Sequence, residues 1–152
     1  MKAILQRAKN SYVKVNEEIV GEINKGLVVF IGVGEDDSLD DIDILANKII
    51  NLRIFEDEAG KMNNSLLDIN GEILLVSQFT LYADTRKGRR PSFIKAADPD
   101  KALEYYNIFK NKLKEYGIIV ATGIFQADMD VHILNDGPVT ITLDTNDLRR
   151  IK

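Results

Sequence analysis

The run Leu27-Val28-Val29-Phe30-Ile31-Gly32-Val33-Gly34 is apolar throughout and rich in β-branched residues, so no alternation gives it a wet side. It predicts a central strand covered on both faces, and hence a chain that must supply layers on either side of a sheet. A second run, Leu74-Leu75-Val76-Ser77-Gln78-Phe79-Thr80-Leu81-Tyr82, begins the same way but carries Ser77, Gln78 and Thr80 at its far end. Burying a hydroxyl or an amide without a partner costs roughly 1 to 3 kcal/mol. These three are therefore hydrogen-bonded internally, mark the end of the strand, or line a pocket.

The 152 residues are read as one domain over 1–152, long enough to bury roughly 68 to 70% of the unfolded chain's surface. Residues 2–9 and 11–15 read as two strands of a meander separated at Asn10-Ser11, and Asn24-Lys25-Gly26 punctuates before the central run. Ile42, Leu45, Ala46, Ile49 and Ile50 recur at helical spacing, with Ser38 as N-cap and Asp41 three residues on. A short strand Arg53–Glu56 follows, then a polar loop turning at Ala59-Gly60, a brief strand at Leu66–Ile69, and a hairpin signal at Asn70-Gly71. Asp98-Pro99 opens a second helix to about Tyr116, with Leu103, Tyr106, Ile108, Phe109 and Leu113 inward and Gly117 as its cap. Ile118–Phe125 and Met129–Leu134 read as strands, and Val139, Ile141 and Leu143 alternate inward along a last one.

Composition closes off several chemistries. With no cysteine there is no disulfide and no thiolate, and with His132 as the only histidine a zinc site is not expected. His132 shares the polar side of its strand with Asp130, which predicts a structural or surface role. Six of the nine residues Glu35–Asp43 are acidic, and beside the positive end of a helix they read as a helix start rather than a metal site. No metal or cofactor is expected. The opening Met1–Arg7 turns polar too soon for the apolar core of a signal peptide, and no run approaches membrane-spanning length, so cytoplasmic residence without a membrane partner is the expectation.

A net charge of −4 argues against broad nonspecific nucleic-acid binding, yet Arg86, Lys87, Arg89 and Arg90 place four cations within five residues. The segment is either a solvated loop or a phosphate-contacting one in which Gly88 lets the backbone approach. Asn135-Asp136-Gly137-Pro138-Val139-Thr140 has the composition of a tight turn, except that Pro138 removes a ladder donor and allows a cis bond.

Taken together, Ser77-Gln78-Phe79-Thr80 and Asn135-Asp136-Gly137-Pro138-Val139-Thr140 resemble the two signature motifs of the D-aminoacyl-tRNA deacylases. Similar stretches include Ala3–Arg7, Gly88–Phe93 and Phe125–Met129, so the resemblance spans the chain; Gln126 stands where members of the family often carry glycine. The resemblance implies an α+β fold of layered mixed and antiparallel β-sheets, barrel-like and flanked by two helices. It also implies a homodimer with its sites at the subunit interface, and hydrolysis of the ester joining a D-amino acid, or glycine, to the terminal adenosine of tRNA.

Carried over by position, Ser77, Gln78, Phe79 and Thr80 would form the catalytic motif. Arg7, Phe125, Met129 and Asn135 would line the substrate pocket, and Gly137-Pro138, in cis, would reach into the partner's site and exclude an L side chain. Arg86, Lys87, Arg89 and Arg90 would contact the acceptor end of tRNA. A Thr80 nucleophile would need a base, and the sequence offers none beside it. The expectation is therefore positioning: backbone N–H groups around Ser77–Phe79 hold the developing oxyanion, Thr80 orients substrate or water, and the adenosine 2'-hydroxyl assists. A noncatalytic RNA-binding or dimerisation module is the other reading of the same residues.

Overall fold

The computed structural model describes residues 1–150. Its elements in chain order are β1 (Lys2–Val15), β2 (Glu18–Gly32), α1 (Leu39–Asn51), β3 (Phe55–Glu56), β4 (Met62–Asn64), β5 (Glu72–Ser77), a 3-10 turn (Phe79–Tyr82), α2 (Pro99–Glu115), β6 (Val120–Thr122), β7 (Asp130–Asp144) and α3 (Thr145–Arg150). Five strands form one mixed sheet in the order β6-β5-β2-β1-β7, while β3 and β4 make a small separate pair. β1 runs antiparallel to β2 and β7; β2, β5 and β6 are mutually parallel.

The central strand is covered on both faces, as the unbroken apolar run predicts. Leu27, Val29 and Ile31 of β2, with Ile73 and Leu75 of β5, face the core built with α1 and α2. Val28, Leu74 and Val76, one residue out of step, face a second core with Val13, Ile23, Met129, Val131 and Ile133. That second cover comes from the strands themselves. Gly26 adopts φ +156 where a Cβ would lie 1.8 Å from Glu72 O, and a Cβ on Gly21 would lie 2.3 Å from Thr122 O, so the outer half of β2 folds against β5 and β6. This layering is the barrel-like arrangement expected.

Ser38 and Asp41 open α1 as read from sequence: Ser38 N–H donates to the Asp41 carboxylate at 2.7 Å. Asp98 caps α2, accepting from Lys101 N–H at 3.0 Å, and Gly117 ends it at φ +82. Tyr106, Phe109 and Leu113 point inward, whereas Leu103 and Ile108 are exposed. The Tyr106 hydroxyl donates to Leu75 O at 3.0 Å, and burial pushes its pKa up to about 12.

Several expected boundaries move, each for a local reason. Residues 2–15 form one strand rather than two, because Asn10 takes φ +48 as a bulge and Ser11 Oγ repairs the ladder by accepting Leu134 N–H at 3.1 Å. The first hairpin turns at Asn16-Glu17, both at positive φ, and Asn24–Gly26 stays within β2. Asn70-Gly71 makes no hairpin, since both neighbours of β5 are parallel to it; instead Gly71 N–H closes a turn on Leu66 O at 3.0 Å, and Leu66–Ile69 is not a strand. β6 keeps only the three residues that pair with β5. The segments around 129–134 and 139–144 are one strand, β7, and α3 is a helix the periodicity did not show.

Asp41 lies at the junction of α1, α3 and the chain start. Burial works to raise its pKa, but hydrogen bonds from Ser38 and Thr145 and the nearby N-terminal ammonium outweigh it and bring it from 3.8 to about 2. A folded-state pKa below the unfolded one stabilises the protein above the unfolded pKa, and that contribution is lost as pH falls through the folded pKa. Between roughly pH 4 and pH 2, urea unfolding of Asp41→Asn should therefore lose about 2 kcal/mol less stability than that of the wild type.

Candidate functional site

β5 ends at Ser77 because Gln78 turns the chain. Its N–H donates to Ile31 O at 2.8 Å on the neighbouring strand, and its φ of −144° with ψ of 82° breaks the extended run. The backbone then tightens into the 3-10 turn, with Leu81 N–H donating to Gln78 O at 3.3 Å and Ala83 N–H to Thr80 O at 3.1 Å. The polar end of β5 is thus a strand end, and it also borders a cavity.

That cavity is a cleft of about 1030 Å³ between the ends of β2 and β5, the start of α2 and the segment that enters β7. Ser77, Gln78 and Phe79 form one side; Phe125 and Met129 face them, with Gln126 and Asp128 between; Ala97, Pro99 and Ala102 close a third side. Phe125 is steadied by Tyr106, ring centroids 6.0 Å apart. Thr80 does not line the cleft; it is exposed next to Phe79, and its hydroxyl accepts a close hydrogen bond from Gln78 Nε2. The hydroxyl keeps its own proton and a second lone pair for other partners. Among the described residues no group of three or more histidines, cysteines or carboxylates could hold a metal. His132 lies outside the cleft, stacked on Tyr12 at 4.4 Å.

The second motif lies elsewhere on the chain. Pairing of β1 with β7 jumps from Gln6↔Thr140 to Ala8↔Asn135, so residues 136–139 stand out from the ladder opposite Arg7. The Gly137-Pro138 bond is cis, Gly137 takes φ +126, and both residues are exposed. Arg7 braces this segment from behind. Only 6% exposed, it donates through Nε to Asp136 O at 3.0 Å and through Nη1 to Ile54 O at 2.9 Å, with the Asp136 carboxylate 3.6 Å away. Asn135 spans the same bulge, donating to Thr140 Oγ1 at 3.0 Å and accepting Val139 N–H at 3.2 Å. Of the residues singled out from sequence, the cleft therefore brings together Ser77, Gln78, Phe79, Phe125 and Met129. Arg7 and Asn135 cluster with Gly137-Pro138, and no residue from 135 to 140 lines the cleft of the same chain.

The basic loop is pinched at its base, where Asp84 and Ser92 exchange backbone hydrogen bonds of 2.8 and 3.0 Å. Arg86 folds back onto Asp84, with Nε and Nη2 contacts of 2.8 and 2.6 Å. The Arg86 side chain and amide hold the Asp84 carboxyl far below the usual range, and the pairing raises the Arg86 pKa. Lys87, Arg89 and Arg90 are exposed. Sequence reasoning missed Ala97, Pro99, Gln126 and Asp128 as cleft residues, and Asp84 as the partner of Arg86. The last was visible as an opposite charge two positions away; Ala97 and Pro99 carry no signal until the fold brings α2 to the strand ends.

Residues 4–144 match the family described as D-Tyr-tRNA(Tyr) deacylase. The D-aminoacyl-tRNA deacylase of Thermosipho africanus is 59% identical over 145 residues, covering 95% of this chain and 97% of that protein. That of Aquifex aeolicus is 57% identical over 148 residues, covering 97% and 100%. Among solved structures, a c-Myc DNA Unwinding Element Binding Protein superposes with a TM-score of 0.90 at 40% identity, covering 95% of this chain and 98% of that one. A probable eukaryotic D-amino acid tRNA deacylase gives 0.83 at 19% identity, covering 94% and 98%, a likeness of fold.

The brace behind Gly137 is tight: a Cβ there would lie 2.8 Å from Arg7 Nη2, on a backbone conformation that L residues rarely adopt. Gly137→Ala should lower the unfolding free energy by about 1 to 3 kcal/mol in urea titrations. Arg7→Lys, which cannot supply two diverging donors to Ile54 O and Asp136 O, should cost a similar amount.

Proposed function

The chain belongs to the D-Tyr-tRNA(Tyr) deacylase family and is a D-aminoacyl-tRNA deacylase, a hydrolase; we propose that it works by positioning its substrate in the Ser77–Phe79 cleft rather than by covalent catalysis. The observation that carries this reading is the cleft at the polar end of β5, with Thr80 next to its lining residue Phe79 and, among the described residues, hydrogen-bonded through its side chain to the Gln78 amide rather than to a carboxylate or histidine. The ester between the amino acid and the 3'-terminal adenosine lies in the cleft. Gln78 N–H is committed to Ile31 O, so the oxyanion donors are the amides of Phe79 and Thr80, which precede the first internal bond of the turn. This narrows the cradle expected around Ser77–Phe79 and moves it one residue along the chain. Water adds to the ester carbonyl carbon, the bond to the ribose 3'-oxygen breaks, and that oxygen leaves with a proton supplied through the adenosine 2'-hydroxyl. The Thr80 hydroxyl donates to substrate or water.

Chirality is judged by exclusion. The exposed Gly137-Pro138 element reaches from one copy of the chain into the cleft of a second, and its carbonyls occupy the volume an L side chain would need. Supporting this is the position of residues 135–140 on an edge strand, outside their own cleft. The active species is then a homodimer. Glycine, with no side chain to exclude, passes the same filter and is also removed. Lys87, Arg89 and Arg90 contact phosphates at the acceptor end of the tRNA, and the protein works in the cytoplasm, where charged tRNA is used. Among the described residues no helix is long and apolar enough to cross a membrane. A noncatalytic RNA-binding or dimerisation module would account for the basic loop but not for the cleft.

Purified protein without added metal should release D-tyrosine from charged tRNA and spare the L-form; equal rates on both would overturn the filter. Thr80→Ala should slow D-tyrosine release by about tenfold or less, the scale of one lost hydrogen bond. Abolished turnover with binding and folding intact would instead identify Thr80 as a nucleophile. Replacing Lys87 or Arg89 by alanine should each lower the slope of log affinity against log salt by about 1 in tRNA titrations.

A further inference from the structure

We propose that Phe93 forms a stacking subsite for the nucleotide preceding the terminal adenosine, an inference that rests on the substrate ester lying in the cleft. Phe79 lines the cleft and is 55% exposed; Phe93 does not line it, is 36% exposed, and meets Phe79 edge-on with centroids 5.1 Å apart and planes at 66°. The two rings form a step, one at the cleft wall and one just outside it. A chain whose terminal adenosine enters the cleft must pass this step with its next nucleotide.

The outer ring is held rather than trailing. The paired Asp84 and Ser92 fix the residue before it, and Phe93 O accepts Ala96 N–H at 3.0 Å. Ala97 N–H then donates to Val33 O at 2.9 Å and Lys95 O accepts Glu35 N–H at 2.9 Å, tying the segment to the end of β2. An aromatic ring held in place and still 36% exposed can stack a base at little ordering cost.

Charge selects the kind of partner. Between the two rings in sequence lie four cations, of which Arg86 is neutralised by Asp84, while Lys87, Arg89 and Arg90 form no ion pair among the described residues. Cations for phosphates next to an open aromatic face are what single-stranded RNA requires. The exposed Ile94 would equally suit an apolar protein surface, but three unpaired cations beside it favour a polyanion.

The test compares two non-hydrolysable ligands, 3'-amide-linked D-tyrosyl-adenosine and the same group on a cytidine-cytidine-adenosine trinucleotide. Dissociation constants are measured for the wild type, Phe93→Leu and Phe93→Trp. Phe93→Leu should weaken trinucleotide binding about fivefold or more, the lower range for one stacked base, and leave the adenosine ligand within about twofold. Phe93→Trp should keep wild-type affinity for both. Equal losses with the two ligands would assign Phe93 to the cleft wall, and no loss with either would remove it from binding; both results overturn the subsite. Failure of the wild type to bind either ligand would instead overturn the placement of the ester in the cleft.

Discussion

The structure depends on two parallel segments, 26–31 of β2 and 72–77 of β5, packed between two cores. β2 and β5 send alternate residues into two separate cores, Leu27, Val29 and Ile31 to the helices and Val28, Leu74 and Val76 to the folded-over ends of the chain's own strands. A slip of one residue in their register would exchange the two sets, so the pairing from Gly26 with Glu72 to Ile31 with Ser77 is fixed. The position of the strand ends, and with them Gln78 and the turn beyond, follows from that register. A cleft at the carboxyl end of parallel strands needs no separate device to place it; the cores place it.

The second sequence motif is held in a different way. Gly137-Pro138 sits on an edge strand with little packing of its own, and its geometry is imposed by a buried guanidinium and a side-chain amide. Arg7 makes directed contacts to two carbonyls from separate parts of the chain, Ile54 and Asp136, which a point charge could not reproduce. The cleft is thus fixed by hydrophobic register and the proline element by hydrogen bonds.

What the sequence made legible follows the same division. The covered strand, both long helices and their caps were readable because each has a local cause: an apolar run, a helical period, Ser38 with Asp41, Asp98 with Pro99. The polar residues at the end of β5 were readable as an anomaly, and the paired motifs gave that anomaly a chemistry. The hairpin signal misled at Asn70-Gly71, since turn composition reports what a backbone can do and not which strand it will join. Parallel pairing of β5, and the bracing of residues 136–139 by Arg7, arise from contacts far apart in sequence. The placing of Arg7 and Asn135 behind the proline rather than in the cleft of their own chain has the same origin.

The pinch between Asp84 and Ser92 separates the base of the basic loop from its tip. Because the ends are joined by backbone bonds and Asp84 is occupied by Arg86, residues 87–90 can vary in length and charge without transmitting a shift to the strand end or to Phe93. Such a loop is an evolutionary adjustment point. Charge at the tip can change one residue at a time while the strand end and Phe93 keep their places.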